Sequence, residues 1–240
     1  MQRFPPVGLI ACKTLLVFFN FSSSVVLANP TTSAHVILDV GHSPNLPGAV
    51  SPSGNKEYDY NNNLTKKIYE KLTANGITVS YSLSDHNLEA KLPERAANTA
   101  GKDLFVSIHH DSMPQEWIDQ GLNNTLSGFS VFISNKSKFP VDSYNCAQHI
   151  GYEMVQSHEK PSLYHAIDYQ GESKPLLNKA YGVHQFDNLI VLKAAQSPSL
   201  LIEAGVIVNP SEEIRLMNTD VIENLASAIS NGILTCLKKS

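Results

Sequence analysis

Positive charge is scarce in this 240-residue chain: 18 Lys and Arg stand against 22 Asp and Glu, a formal net charge of −4. A surface of that sign argues against nucleic acid or an anionic membrane as partner. No internal repeat, low-complexity linker or block of like charge occurs, so nothing marks a second folded domain. Neither H-E-x-x-H nor G-x-S-x-G is present, which leaves zincin and serine-hydrolase readings without an anchor. Cysteine is limited to Cys12, Cys146 and Cys236. The longest early apolar run, Leu15 to Phe21, is too short to span a bilayer even when read on through the serines to Ala28.

The composition that remains, 42% hydrophobic and 17% charged, is that of a globular protein able to bury a full core. The first 28 residues differ from the rest. Arg3 and Lys13 are their only charges, "LLVFFNF" is a short apolar core, and "VVLA" ends in a small residue, so residues 1–28 are expected to be a signal peptide cut after Ala28. "LIAC" at residues 9–12 resembles a lipoprotein cleavage site, but almost no apolar stretch precedes it. Loss of Arg3 and Lys13 leaves 16 basic against 22 acidic residues, a net of −6 for residues 29–240. Export places Cys146 and Cys236 in an oxidising compartment, either as one disulfide between two helices or as two buried thiols.

"HVILDV" (35–40), "GITVSYS" (76–82) and "KDLFVSI" (102–108) read as buried parallel strands. Between the first two, Tyr60, Leu64, Ile68 and Leu72 recur every four residues, and Asn75-Gly76 supplies a stop, which predicts an amphipathic helix. A shorter helix at 92–101, a strand at 127–134, a helix at 141–158, a strand at 198–203 and a closing helix at 218–239 complete the pattern. The fold class expected is α/β, a single domain with an open, mostly parallel twisted sheet and helices on both faces. Residues 159–179 carry little pattern and read equally as an insertion near a site or as a plain loop.

Ligands of such sheets gather at the carboxyl ends of the strands. His42 follows the first strand, His109 ends "LFVSI", Glu203 ends "SLLI", and Glu57 opens the first long helix at the same edge. Two imidazoles and a carboxylate there match a catalytic zinc site, which takes three protein ligands and leaves a position for water. Taken singly, each has a plainer reading: a histidine satisfied in a loop, or a glutamate favoured by the helix dipole. "HNLE" (86–89) has the spacing of a carboxypeptidase pair, but His86 and Glu89 sit in a polar connection and read as loop residues. His35, His149, His158, His165 and His184 read as structural or exposed, with His184 close enough to the last strand to reach a substrate.

"VILDVGHSPNLPGAVSPSGNKEYDYNNNLTKKIYEKL", "RAANTAGKDLFVSIHHDS" and "SLLIEAGVIVNP" together resemble the zinc-dependent N-acetylmuramoyl-L-alanine amidases of the Amidase_3 family, from about residue 35 to the C-terminus. The resemblance implies that His42, Glu57 and His109 bind one Zn2+ per chain and that Glu203 is the catalytic acid/base. It implies hydrolysis of the amide between N-acetylmuramic acid and L-alanine of peptidoglycan by a zinc amidase domain over residues 29–240. The expected protein is a monomer with no membrane span, periplasmic or extracellular, with peptidoglycan and an activator protein as the partners to look for. A zinc peptidase acting on the stem peptide and a non-catalytic cell-wall-binding protein are the alternatives. No substrate-binding residue is assigned.

Several positions qualify the likeness. Ser43-Pro44 stands where the family usually has Gly-Gly. Asp111 reads either as an acceptor orienting a ligand imidazole or, with His110, as a solvent-facing pair. Arg95 and Asn98 match the family's "R…AN" and read as structural support. The family's helical insertion, which blocks the metal until a partner moves it, corresponds to residues 159–179, which are short and poorly helical here.

Overall fold

The computed structural model describes residues 1–3, 33–83, 90–168 and 173–238. The cleavage site at Ala28, Cys12, His86 and Glu89 lie outside them. Residues 33–240 form one compact unit. Its elements are β1 (His35–Val40), α1 (Glu57–Ala74), β2 (Thr78–Tyr81), α2 (Leu92–Arg95), β3 (Leu104–Asp111), α3 (Gln115–Asp119), β4 (Ser130–Ile133), α4 (Pro140–Gln156), β5 (Leu176–Asn178), β6 (Val183–Gln185), α5 (Ile190–Ala194), β7 (Ser199–Val206), α6 (Pro210–Leu216) and α7 (Thr219–Leu237). Short 3-10 turns lie at Ala97–Thr99, Leu122–Asn124 and Tyr164–Ala166.

One seven-stranded sheet runs in the order β2-β1-β3-β7-β4-β6-β5. The pairs from β2 to β7 are parallel, β4 is antiparallel to β7 and parallel to β6, and β5 is antiparallel to β6. The expected open, mostly parallel sheet is therefore present, with a reversal of chain direction between β7 and β4. Alternation along each strand divides its side chains between two faces. On one, Val36, Leu38, Leu104, Val106, Ile108, Leu200 and Ile202 pack with the buried sides of α1, α4 and α7. On the other, Ile37, Phe105, Phe132 and Leu201 meet Ala96, Val191, Leu192 and Ala195, supplied by the short α2 and α5 and the residues that follow them. Helices cover both faces, but one face carries long helices and the other carries single turns.

The long helices form for the reasons their sequences give. In α1, Tyr60, Leu64, Ile68 and Leu72 are all buried, and Asn75 and left-handed Gly76 end the helix. In α7, the Asn218 side chain accepts from the Asp220 N–H at the start, and Leu225, Ile229 and Ile233 are buried. Cys146 on α4 and Cys236 on α7 form a disulfide, which decides between the two readings of those thiols.

Candidate metal centre and active-site face

The centre is built at the carboxyl ends of β1 and β3 and at the first turn of α1. His42, two residues past β1, adopts a left-handed backbone with φ 67°. That conformation is uncommon outside glycine, and neighbouring bonds hold it. Arg95 donates to the carbonyls of His42 and Val40 and through Nε to Asp39 Oδ1 at 2.9 Å, while Ser43 N and Leu46 O close the following turn. Asp39 also accepts from Ser82 Oγ and Ser107 Oγ. Arg95 is thus the structural support its motif suggested. Asn98 is exposed and shares no such role.

Both imidazoles converge on Glu57. His42 Nε2 lies 3.0 Å from Oε2 and His109 Nδ1 lies 3.1 Å from Oε1, with the two rings edge to face at 5.0 Å between centroids. The donor atoms of His42, Glu57 and His109 all fall within 4.8 Å of one another. Tetrahedral ligands about 2.1 Å from zinc sit roughly 3.4 Å apart, so the set fits that ion in chemistry and in spread. Glu57 is further fixed by donation from Ala49 N to Oε2 and from Asn61 Nδ2 to Oε1. Burial pushes its carboxyl up, but the hydrogen bonds from His109 and His42 outweigh burial and hold it well below the usual carboxylate range.

Two glycines leave room for this cluster. A Cβ on Gly41 would lie 2.5 Å from the His109 ring. Gly48, at φ +77°, passes so close that its Cβ would collide with His42 and Glu57. The loop carrying Gly48 is anchored from α6, where Glu213 accepts from Ser51 Oγ, Ser53 N and Asn55 Nδ2. Gly48 and its anchor carry no motif of their own, and no feature of the sequence pointed to them.

Glu203 sits on β7 directly across from His109 in the parallel register, on the face away from the long helices. The residue keeps partial exposure, yet its Oε2 is sealed from solvent and has no hydrogen-bond partner among the described residues. Burial pushes its pKa well up, and the carboxylates of Asp111 and Glu57 add to that. An unpartnered buried carboxyl oxygen costs free energy unless a reacting group completes it.

Three expectations are corrected here. Asp111 orients neither ligand imidazole and does not face solvent: it is 6% exposed and accepts from His165 Nε2 at 2.6 Å. His110 is 3% exposed on the opposite face of β3, its Nδ1 bonded to Asn61 Oδ1 at 2.8 Å. His184 is fully buried, with Nε2 against the Ser162 carbonyl, and cannot reach a substrate. His165 is the residue sequence reasoning missed. Its partner Asp111 is 54 positions away, and no local pattern links the two. The 159–179 segment therefore adjoins the site, and among its described residues the longest helical piece is the Tyr164–Ala166 turn.

Cavity size does not mark the centre. A larger cavity of about 690 Å³ opens at the amino ends of β3 and β7, by Asp103 and Pro198, and holds no comparable cluster of ligand side chains among the described residues.

The fold and the site define a class: an α/β protein with a metal-competent His-Glu-His set and a sealed glutamate on the carboxyl edge of its sheet, the layout of a metal-dependent hydrolase. Comparison with known proteins makes the class specific. The Amidase_3 model, described as N-acetylmuramoyl-L-alanine amidase, matches residues 36–235, and the chain belongs to that family. The N-acetylmuramoyl-L-alanine amidase AmiA of Salmonella typhimurium is 27% identical over 225 residues, spanning 83% of this chain and 75% of AmiA. Among solved structures, the N-acetylmuramoyl-L-alanine amidase from Clostridium difficile 630 is similar at a TM-score of 0.69 and 27% identity, covering 87% of this chain and 98% of that one. The CwlD amidase of Clostridioides difficile, solved in complex with the GerS lipoprotein, shares the fold at a TM-score of 0.65 and 24% identity, covering 85% and 98%.

Proposed function

We propose that this chain is an exported peptidoglycan amidase that hydrolyses the bond between the lactyl group of N-acetylmuramic acid and the L-alanine of the stem peptide, with His42, Glu57 and His109 holding one zinc. The observation that carries the reading is the sealed Oε2 of Glu203, one strand across from His109. When bound, zinc supplies Lewis acidity for a carbonyl and lowers the pKa of a water. Glu203 Oε2 takes the proton from the attacking water and returns it to the leaving amine. A carboxyl whose pKa burial has raised is suited to the second half of that task. Glu57, held ionised by its imidazole partners, stays a ligand and not a proton carrier.

Residues 1–28 are the proposed leader, and the amidase domain follows from Asn29 to a periplasmic or exterior destination. Among the described residues no helix is long and apolar enough to cross a membrane. The test is mass spectrometry of purified muropeptides after incubation with the zinc-loaded protein. Free stem peptide beginning with L-alanine, beside intact glycan, is the expected product. A shortened stem still attached to muramic acid, or binding to sacculi with no product, overturns the reading.

A further inference from the structure

The outward side of α4 carries a second concave surface, apart from the metal centre. A cavity of about 380 Å³ there is lined by Asn145, Gln148, His149, Tyr152 and Tyr181. The first four recur at helical spacing and so share one side of α4, and Tyr152 is 41% exposed. Asn145 and His149 also line the 690 Å³ cavity at the amino ends of β3 and β7, so the two cavities make one groove along the helix. From Asp142 to Tyr152 that groove runs about 15 Å. The opposite side of α4, with Ala147, Ile150 and Met154, packs in the apolar layer over the sheet, and Glu203 stands on the sheet's other face.

We propose that this groove binds a glycan strand of peptidoglycan, a chain of N-acetylated amino sugars, while the metal centre works on a stem peptide elsewhere in the same network. This inference rests on the amidase reading and adds a second, non-catalytic binding site to it. The sheet and α4 stand between the two sites, so a strand held in the groove leaves the centre open.

The lining selects the ligand by its chemistry. Among the described residues, no Lys, Arg, Asp or Glu borders the 380 Å³ cavity, and no aliphatic side chain does either. The first absence disfavours an anionic polymer or a peptide terminus, and the second a hydrophobic helix. What is present is two phenol rings beside two carboxamides and an imidazole. The rings offer apolar faces to the C–H face of a pyranose, and the carboxamides serve hydroxyl and acetamido groups as donor and acceptor both. The side chains of Asn145, His149 and Tyr152 have no hydrogen-bond partner among the described residues, so their polar atoms are open to a ligand. The platform itself is held in place. Tyr181 N donates to Asn178 Oδ1 at 3.2 Å, Asn178 Nδ2 donates to Gln148 Oε1 at 3.1 Å, and the Tyr152 and Tyr181 rings meet edge to face at 5.7 Å. Gly151 lets the Tyr181 turn lie directly on α4, since a Cβ there would collide with the Tyr181 carbonyl oxygen. Farther along the groove, Lys102 and Lys238 are balanced by Asp103 and Asp142, which suits an uncharged sugar chain.

The test uses the zinc-loaded mature chain and, as probe, a β-1,4-linked N-acetylglucosamine tetramer, which carries no stem peptide and no bond for the centre to cut. Isothermal titration should show binding with and without zinc, weakened about five- to tenfold by Tyr152→Ala, the loss of one ring-sized apolar contact, and restored by Tyr152→Trp. With intact sacculi, Tyr152→Ala should raise KM by a similar factor and leave kcat unchanged, because a second contact with the polymer raises local concentration without touching the reaction. Its kcat/KM on a soluble muropeptide and its melting temperature should match the parent. No tetramer binding by the parent, loss of that binding on zinc removal, or equal affinity in Tyr152→Ala overturns the groove and leaves the amidase reading standing. A smaller molar mass for Tyr152→Ala than for the parent in light scattering assigns the face to a second copy of the chain and overturns the groove likewise. Tyr152-dependent binding in a parent that releases no stem peptide from muropeptides keeps the groove and removes the amidase reading alone.

Discussion

The two faces of the sheet use the same strands differently. Facing α1, α4 and α7, β3 presents Leu104, Val106 and Ile108, and β7 presents Leu200, Ile202 and Ala204, all buried in one apolar cluster. On the other face the strands change character halfway along. Ile37 gives way to Asp39, Phe105 to Ser107 and His109, and Leu201 to Glu203. Long helices over the first face make every position there a packing position, whereas the short α2 and α5 leave the carboxyl end of the second face for polar groups. Adjacent residues of one strand thus serve stability and chemistry separately, and substitutions can test the division.

The largest effect is expected at Glu203. Glu203→Gln keeps shape and polarity but cannot accept a proton, so turnover on muropeptides should fall on the order of a hundred- to ten-thousand-fold, with melting temperature and zinc content unchanged. Near-normal turnover in a folded, zinc-loaded variant removes the acid/base role. One residue earlier, Ile202→Ala should do the reverse: a loss of about 2–5 kcal/mol in denaturant unfolding, with kcat per folded molecule preserved. A loss of kcat matching that of Glu203→Gln would break the separation of the faces. Removing the α4–α7 disulfide by Cys146→Ser with Cys236→Ser should cost about 2–4 kcal/mol of stability, read as a lower melting temperature that reductant also produces in the parent. Activity below the melting transition should stay the same.

The smallest effect concerns His110, the one imidazole among the packing positions of β3. Burial pushes its pKa down to about 3, against about 6.5 for an unfolded histidine. Between those values the unfolded chain binds a proton that the folded chain does not. Stability from this site is full above about pH 6.5 and is lost as pH falls toward 3. Glu57, also depressed, begins to cost stability only below about pH 4.5, whereas His35 and His184, also depressed, and Glu203, raised, share the interval from pH 6.5 to 5, so the His110 contribution is the difference between the parent and a His110 variant. In the metal-free protein, His110→Gln should flatten the profile over this interval by up to about 2 kcal/mol relative to the parent. Equal slopes in the two proteins would place the titration elsewhere.

Much of this was legible in sequence because it is periodic or sits at the end of something periodic. The apolar runs of β1, β3 and β7 and the four-residue rhythm of α1 locate the carboxyl edge, and His42, Glu57, His109 and Glu203 follow from their places beside those elements. What escaped is short or depends on distant partners. β5 and β6 have three residues each, too few to show alternation, and α3, α5 and α6 have five to seven, too few for a helical stripe. His184 precedes β7 closely in sequence, but β4 stands between β6 and β7 in the sheet, and the Ser162 carbonyl covers the ring. The Asp111–His165 bond joins β3 to a turn whose position depends on the completed sheet.

The reversal of chain direction between β7 and β4 has an evolutionary consequence. Because of it, the chain leaving β1, β3 and β7 and the chain entering β4 and β6 arrive at one edge from independent parts of the sequence. His42, Glu57, His109 and Glu203 belong to the first group. His165 belongs to a stretch, residues 157–168, that joins the sheet through the isolated bridge of Pro161 with Phe129. Insertions or deletions in that stretch change what reaches the centre without shifting the register of any catalytic strand. The surroundings of the site and the site itself can therefore diverge at different rates within one lineage, and new substrate preferences can arise without rebuilding the centre.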